Sequence, residues 1–169
     1  MRYFTSLLFI LFIGCSFCST QDNTDTIANG IVIDSLLVQK SERTLTIFSK
    51  RKKIKTYKIA LGQQPIGKKQ FEGDGKTPEG LYFIDDKNAA SKFHKNLNVS
   101  YPNTDDIKFA AVNGKSAGDD IKIHGLPNSF NAKSYIITDW TAGCIALNNN
   151  EIDELYKHVK LGSSILILP

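Results

Sequence analysis

The sequence predicts a mainly β, sandwich-like domain with one helix, and three observations lead there. Short runs rich in β-branched and aromatic residues recur along the chain, separated by turn residues. Gly62 to Gly80 holds five glycines and two prolines, so it forms neither a regular strand nor a helix. Convincing helical periodicity is confined to the segment after Cys144. Many short strands with one good helix make a β-layered fold.

Taken in order, the chain opens on Met1-Arg2 and an apolar Leu7–Ile13, followed by small and polar residues from Gly14 to Thr20. That is the layout of a secretory signal over residues 1–19, too short for a permanent membrane span. Phe12-Ile13-Gly14-Cys15 resembles a bacterial lipobox, which implies lipidation at Cys15 and a membrane anchor. Cleavage near Cys18 or Thr20 is the other reading. Both send the domain out of the cytoplasm, to the periplasm or cell envelope. Cys15-Ser16-Phe17-Cys18 has C-x-x-C spacing, but a redox role needs a strand-to-helix context that a signal peptide lacks. Residues 20–29 are polar and without periodicity, a linker to a domain expected over 30–169.

Ile31, Ile33 and Leu36 to Val38 suggest a first strand. Arg43 to Phe48 and Ile54 to Leu61 then read as a hairpin whose polar, basic tip is Ser49 to Lys53. The long glycine-rich loop follows, and loops of that length in compact domains tend to be functional. Leu81 to Ile84 is a short strand, Asp85 to Lys95 holds a helical turn, and Leu97 to Tyr101 is extended before a Pro102-Asn103 turn. Phe109 to Val112 reads as strand, and Asn113 to Asp119 as a polar loop. Ile121 and Ile123 alternate with Lys122, as on a half-buried strand that delivers His124 at its end. Ser134 to Thr138 is another β run. In the helix, Ile152, Leu155, Tyr156 and Val159 share one face, which leaves His158 facing solvent. Asn148 or Asn149 caps its start and Gly162 stops it; Ile165 to Leu168 is a final strand.

The chain has 169 residues, 41% of them apolar and 22% charged, with a net charge of +4, which suits one globular domain with a proper core. The basic run from Lys50 to Lys58 is either a solvated turn or a contact for a polyanion such as a carboxylate-rich polymer. No aromatic interleaving or nucleic-acid module accompanies it, which argues against nucleic acid. The histidines, His94, His124 and His158, lack metal-ligand spacing, so no metal site is expected.

Cys144 is the cysteine beyond the leader, left unpaired in an oxidising compartment. A cysteine can simply be a small buried hydrophobe. This one follows Gly143 in the polar turn Asp139-Trp140-Thr141-Ala142-Gly143, which suits a nucleophile better. Gly143 allows close approach of a substrate, and the amides of Gly143 and Cys144 could converge on an oxyanion. His124 is the matching base: an imidazole near neutrality takes the thiol proton, and the imidazolium then lowers the thiol's pKa. His94 is expected to be a surface residue.

These residues resemble the L,D-transpeptidase catalytic (YkuD-type) domain family. The resemblance rests on His124-Gly125, Thr141-x-Gly143-Cys144-Ile145 and Gly73-Asp74-Gly75-Lys76-Thr77-Pro78-Glu79-Gly80 in that family's order. It extends to Val38-x-Lys40-Ser41-x-Arg43 and Ser100-Tyr101-Pro102-Asn103, and covers about Leu36 to Pro169. It implies a β-sandwich of mixed sheets and no cofactor. It also implies an enzyme whose cysteine attacks the carbonyl on the L-side of a meso-diaminopimelate–D-alanine bond in peptidoglycan stem peptides. D-alanine leaves and an amine takes the acyl group. Carried over, Cys144 is the nucleophile, His124 the base, and the Gly125 carbonyl orients the imidazole. Trp140 and Thr141 shape the pocket, and Glu79 and Lys76 of the loop meet the charged ends of a stem peptide. Two positions depart from the family: Ala142 replaces a usual histidine, and Ala146 a usual arginine or asparagine. Water, a stem-peptide amine and a protein amine stay open as acceptors, so a carboxypeptidase or amidase on the same fold is the nearest alternative. A non-catalytic wall-binding lipoprotein is the other.

Overall fold

The computed structural model describes residues 26–129 and 138–169. The leader with Cys15 and Cys18, most of the linker, and all but Thr138 of the Ser134–Thr138 run lie outside the described residues. The elements run β1 (Ile33–Gln39), β2 (Thr44–Ser49), β3 (Lys52–Lys58), β4 (Gly80–Ser91), β5 (His94–Val99), α1 (Thr104–Val112), β6 (Lys122–His124), β7 (Ile145–Ala146), α2 (Asn149–His158) and β8 (Val159–Leu168).

The strands form one curled mixed sheet in the order β3-β2-β1-β8-β4-β5-β6-β7. The pairs β1/β8 and β6/β7 are parallel and the rest antiparallel. β4 is the corner: Gly80 to Phe83 pair with β8, and Ile84 to Ser91 with β5. The segment leaving β3 at one edge then meets β7 at the other. Ala60 and Ala146 exchange backbone hydrogen bonds (3.0 and 2.8 Å), Thr141 N–H donates to Leu61 O (3.1 Å), and Gln63 N–H to Thr141 O (2.9 Å). The sheet thus wraps around a core containing Val38, Leu45, Ile84, Leu97, Ile123 and Ile165, all essentially inaccessible.

The basic hairpin forms as expected, with Lys50 and Arg51 at positive φ (49° and 67°) in an exposed tip. Other expectations are corrected. Asp85 to Lys95 holds no helical turn; β4 runs on to Ser91 and the chain returns as β5 from His94, because the two strands pair antiparallel across two irregularities. Phe109 to Val112 ends helix α1 instead of forming a strand. Asn103 Oδ1 accepts from the amides of Asp105 (2.9 Å) and Asp106 (3.0 Å), and Asp106 Oδ2 accepts from Asn103 N–H (3.1 Å), a reciprocal cap that starts the helix. α2 ends at His158, before Gly162, and β8 begins directly at Val159. Gly162, at φ 81°, lies in an irregularity of β8 where the register jumps from Ile33↔Val159 to Ser35↔Ser164. His158 is buried, its Nδ1 on the Ile31 carbonyl (2.8 Å), because β8 turns back along β1 at that point. The fold begins earlier than Gly30: Ile27 is buried and its N–H donates to Glu154.

Candidate active site

β6 and β7 bring the cysteine and the histidine together. Ile123 is directed into the core, which turns Lys122 and His124 to the opposite face. Parallel pairing sets Ile123 beside Ile145 and His124 beside Ala146. Cys144, two residues before Ala146, therefore falls beside Lys122 on the side of the sheet that carries His124. Contact confirms the register: Lys122 N–H donates to Cys144 Sγ (3.4 Å), and the thiol donates to the Asp120 carbonyl (3.5 Å).

His124 is held from two directions. Its Nδ1 donates to Gly125 O (2.7 Å), a choice of tautomer that leaves Nε2 as the basic nitrogen. Its ring lies 4.6 Å from that of Phe93, tilted, and 5.6 Å from that of Trp140, edge-on. Gly125 is wedged in place, since a Cβ there would stand 2.7 Å from Asn149 Oδ1 and 3.0 Å from Ile152. Asn149, at the start of α2, also accepts from Leu126 N–H (2.8 Å), so the helix after the cysteine fixes the loop after the histidine.

The turn before the cysteine is braced by Thr141. Its buried hydroxyl accepts from Gly143 N–H (3.1 Å) and donates to Cys144 O (2.7 Å). This corrects the expected oxyanion pair: the Gly143 amide is engaged within the turn, and Cys144's own amide is the remaining candidate of the two. Asp139 anchors the front of the same turn, taking Arg43 Nε and Nη2 on its carboxylate (2.7–3.1 Å) and Leu61 N–H on Oδ1 (2.9 Å).

The glycine-rich loop packs on this turn, backbone against backbone. A Cβ on Gly62 would lie 2.1 Å from Gly75 O, and one on Gly143 (φ 140°) would lie 2.6 Å from Lys76 O. Lys76 therefore meets the site through its main chain. Glu79 turns to Lys40, whose buried ammonium also bonds the carbonyls of Gly67 and Thr77 (2.7–3.1 Å). The carboxylate expected to meet a substrate is occupied as a strut. Asp74 ties the loop further, accepting from the amides of Gln70, Phe71 and Lys76 and from Lys69 Nζ (2.7–3.1 Å). Partial burial works against its ionisation, yet these donors hold its carboxyl below the usual range. The loop is a fixed wall of the site.

Burial dominates the electrostatics. It pushes the Cys144 thiol up and the His124 imidazole down. The bond to Gly125 O opposes the shift at His124, while the Lys122 charge adds to it. The resting groups are a neutral thiol and a neutral imidazole, where the sequence predicts an imidazolium that lowers the thiol. His94 is half-buried, with Nε2 on Asp153 Oδ1 (2.8 Å), and joins β5 to α2. Sequence reasoning missed Phe93 and Asp120, which carry no chemical signature of their own, and took Asp139 only as part of the polar turn. Arg43 belonged to the quoted opening pattern without a stated partner.

Comparison with known proteins gives concordant results. Residues 32–167 match the model of the YkuD family, the L,D-transpeptidase catalytic domain. YafK of Escherichia coli strain K12 is 31% identical over 126 residues, 71% of this chain and 44% of that protein. The helical cell shape determining protein Pgp2 from Campylobacter jejuni superposes with a TM-score of 0.63 at 29% identity, over 80% of this chain and 48% of that one. Bd1075 of Bdellovibrio bacteriovorus does so at 0.57 and 26%, over 85% and 50%. The chain thus spans half the length of these relatives or less.

Proposed function

Because the chain belongs to the L,D-transpeptidase catalytic domain (YkuD) family, we propose that it is an exported cysteine acyltransferase acting on peptidoglycan stem peptides. The observation that carries this reading is the placement of Cys144 and His124 on one face of adjacent strands, with Nδ1 of His124 tied to Gly125 O. His124 Nε2 takes the thiol proton as Sγ attacks the carbonyl on the L-side of the scissile bond. The tetrahedral oxyanion is met by the Cys144 amide. Collapse returns the proton from Nε2 to the departing amine and leaves a thioester on Cys144. An acceptor amine then attacks the thioester, gives up its proton through Nε2 and releases the enzyme. Deprotonation is coupled to attack, as the neutral resting pair requires. The role named for Pgp2, determining helical cell shape, supports remodelling of the wall as the outcome.

Intact mass after incubation with a carbapenem tests the nucleophile: one covalent adduct is expected, absent in Cys144→Ala, and an adduct that survives that substitution refutes the assignment. Muropeptide mass spectrometry resolves the acceptor, cross-linked dimers supporting an amine and shortened stems without dimers supporting water. Export and lipidation at Cys15 belong to the same proposal; membrane partitioning that is unchanged in Cys15→Ala would remove the lipid from it.

A further inference from the structure

Two lysines act on the nucleophile electrostatically, and they are held differently. Lys69 is buried and engaged with Asp74 Oδ1 (2.9 Å) and the Phe71 carbonyl (3.0 Å). Lys122 sits in β6 on the face shared with His124, and its own backbone N–H donates to Cys144 Sγ (3.4 Å). Its ammonium pairs with Asp120, a carboxylate 69% exposed, while the Asp120 carbonyl takes the thiol's hydrogen bond (3.5 Å). Lys122 Nζ and Cys144 Sγ thus both bond Asp120, one at its carboxylate and the other at its carbonyl. After burial and the backbone hydrogen bonds, the Lys122 charge works to lower the pKa of both His124 and Cys144, and at the thiol the Asp120 carboxylate opposes it. The ammonium of the residue whose main chain touches the reacting sulfur is thus paired with a carboxylate that water reaches freely. Exposed pairs of this kind contribute little, so another carboxylate displaces Asp120 at small cost.

We propose that Lys122 anchors the terminal carboxylate of the substrate, taking it over from Asp120 as the substrate enters. The assignment rests on the stem-peptide reading and adds which end of the stem is recognised. When the leaving residue is the last one, its carboxylate is separated from the scissile carbonyl by the amide nitrogen and a single α-carbon. A cation beside the attacking sulfur is placed to meet that carboxylate through charge-assisted hydrogen bonds. A longer leaving segment, or an amidated terminus, puts no anion there. Lys122 therefore favours stems that end one residue past the cut.

The test compares two synthetic stem peptides, one with a free terminal carboxylate on the leaving residue and one amidated there. Wild type, Lys122→Met, Lys122→Arg and Asp120→Asn are assayed on both, and iodoacetamide labelling of Cys144 confirms an intact thiol in each. Wild type is expected to favour the free acid by roughly tenfold to a hundredfold in kcat/KM, the range for one charge-assisted contact. Lys122→Met abolishes that preference, mainly through KM, and Lys122→Arg keeps it. Asp120→Asn, tolerated at φ 63°, lowers KM for the free acid because the competing carboxylate is gone. An acid-to-amide ratio unchanged in Lys122→Met, or a KM for the acid that Asp120→Asn fails to lower, overturns the assignment while the stem-peptide reading stands. Wild type that cleaves neither peptide overturns both.

Discussion

Thr141→Val isolates the brace under the nucleophile. Valine keeps the branched shape of threonine and removes only the hydroxyl. That hydroxyl serves two main-chain groups, the Gly143 amide at 3.1 Å and the Cys144 carbonyl at 2.7 Å, and the residue is 3% exposed. Without it, a donor and an acceptor remain inside the protein with no partner. Each such group costs about 1–3 kcal/mol, so the variant should lose about 2–4 kcal/mol and melt roughly 5–15 °C lower. The turn that presents Sγ also loses its closure, and displacement of a reacting group by about 1 Å slows chemistry about a hundredfold. Calorimetry gives the first number, and the rate of carbapenem acylation followed by intact mass gives the second. Thr141→Ser restores the oxygen and should recover most of both. A Thr141→Val protein that melts within about 2 °C of wild type and acylates at the wild-type rate would refute the brace.

Gly62→Ala forces a methyl into a space 2.1 Å from Gly75 O; it should cost about 1–3 kcal/mol in chemical denaturation and slow acylation by moving the loop off the turn. Lys40→Met leaves Glu79 and two loop carbonyls without their cation, an expected loss of about 3 kcal/mol by urea unfolding, while the same change at exposed Lys52 is nearly neutral. His124 has a pKa below its ordinary 6.5 in the fold, so the unfolded chain binds its proton first. Its contribution to stability is present above pH 6.5 and is lost as pH falls through the folded value, while acylation persists below 6.5 and falls only as pH drops through that folded value and the base protonates; His124→Gln should flatten the stability difference there. The thiol shift has the opposite sense, its share being complete below pH 9.0 and lost as pH rises through the folded pKa, which Cys144→Ala removes.

The mainly β class was legible in the sequence, and so were the residues of the candidate site, though not how each of them is engaged. Cys144, His124 and the glycine-rich loop carry residue types that chemistry demands, and the pairing of β6 with β7 sets Cys144 beside Lys122, two residues from His124. The functional details that escaped are main-chain facts: which acceptor Gly143 N–H finds, and which carboxylate already holds a lysine. Helix α1 had a readable start in Asn103 and Asp106, but its apolar residues were few, and Ile107 and Phe109 lie half out in solvent. Asp85 to Ser91 shows the converse, a polar run drawn into β4 by the ladder that β5 supplies. His158 looked exposed on an isolated helical wheel, which has no knowledge that Ile31 returns alongside it.

β8 comes last among the strands yet lies between β1 and β4, at the middle of the sheet. A nascent chain halted before Val159 holds β1 and β4 with no strand to join them, and their inner edges stand open. Nothing made earlier can substitute, because Leu36 to Gln39 find their parallel partners only at Ile165 to Leu168. Assembly therefore waits for the final ten-residue strand to emerge.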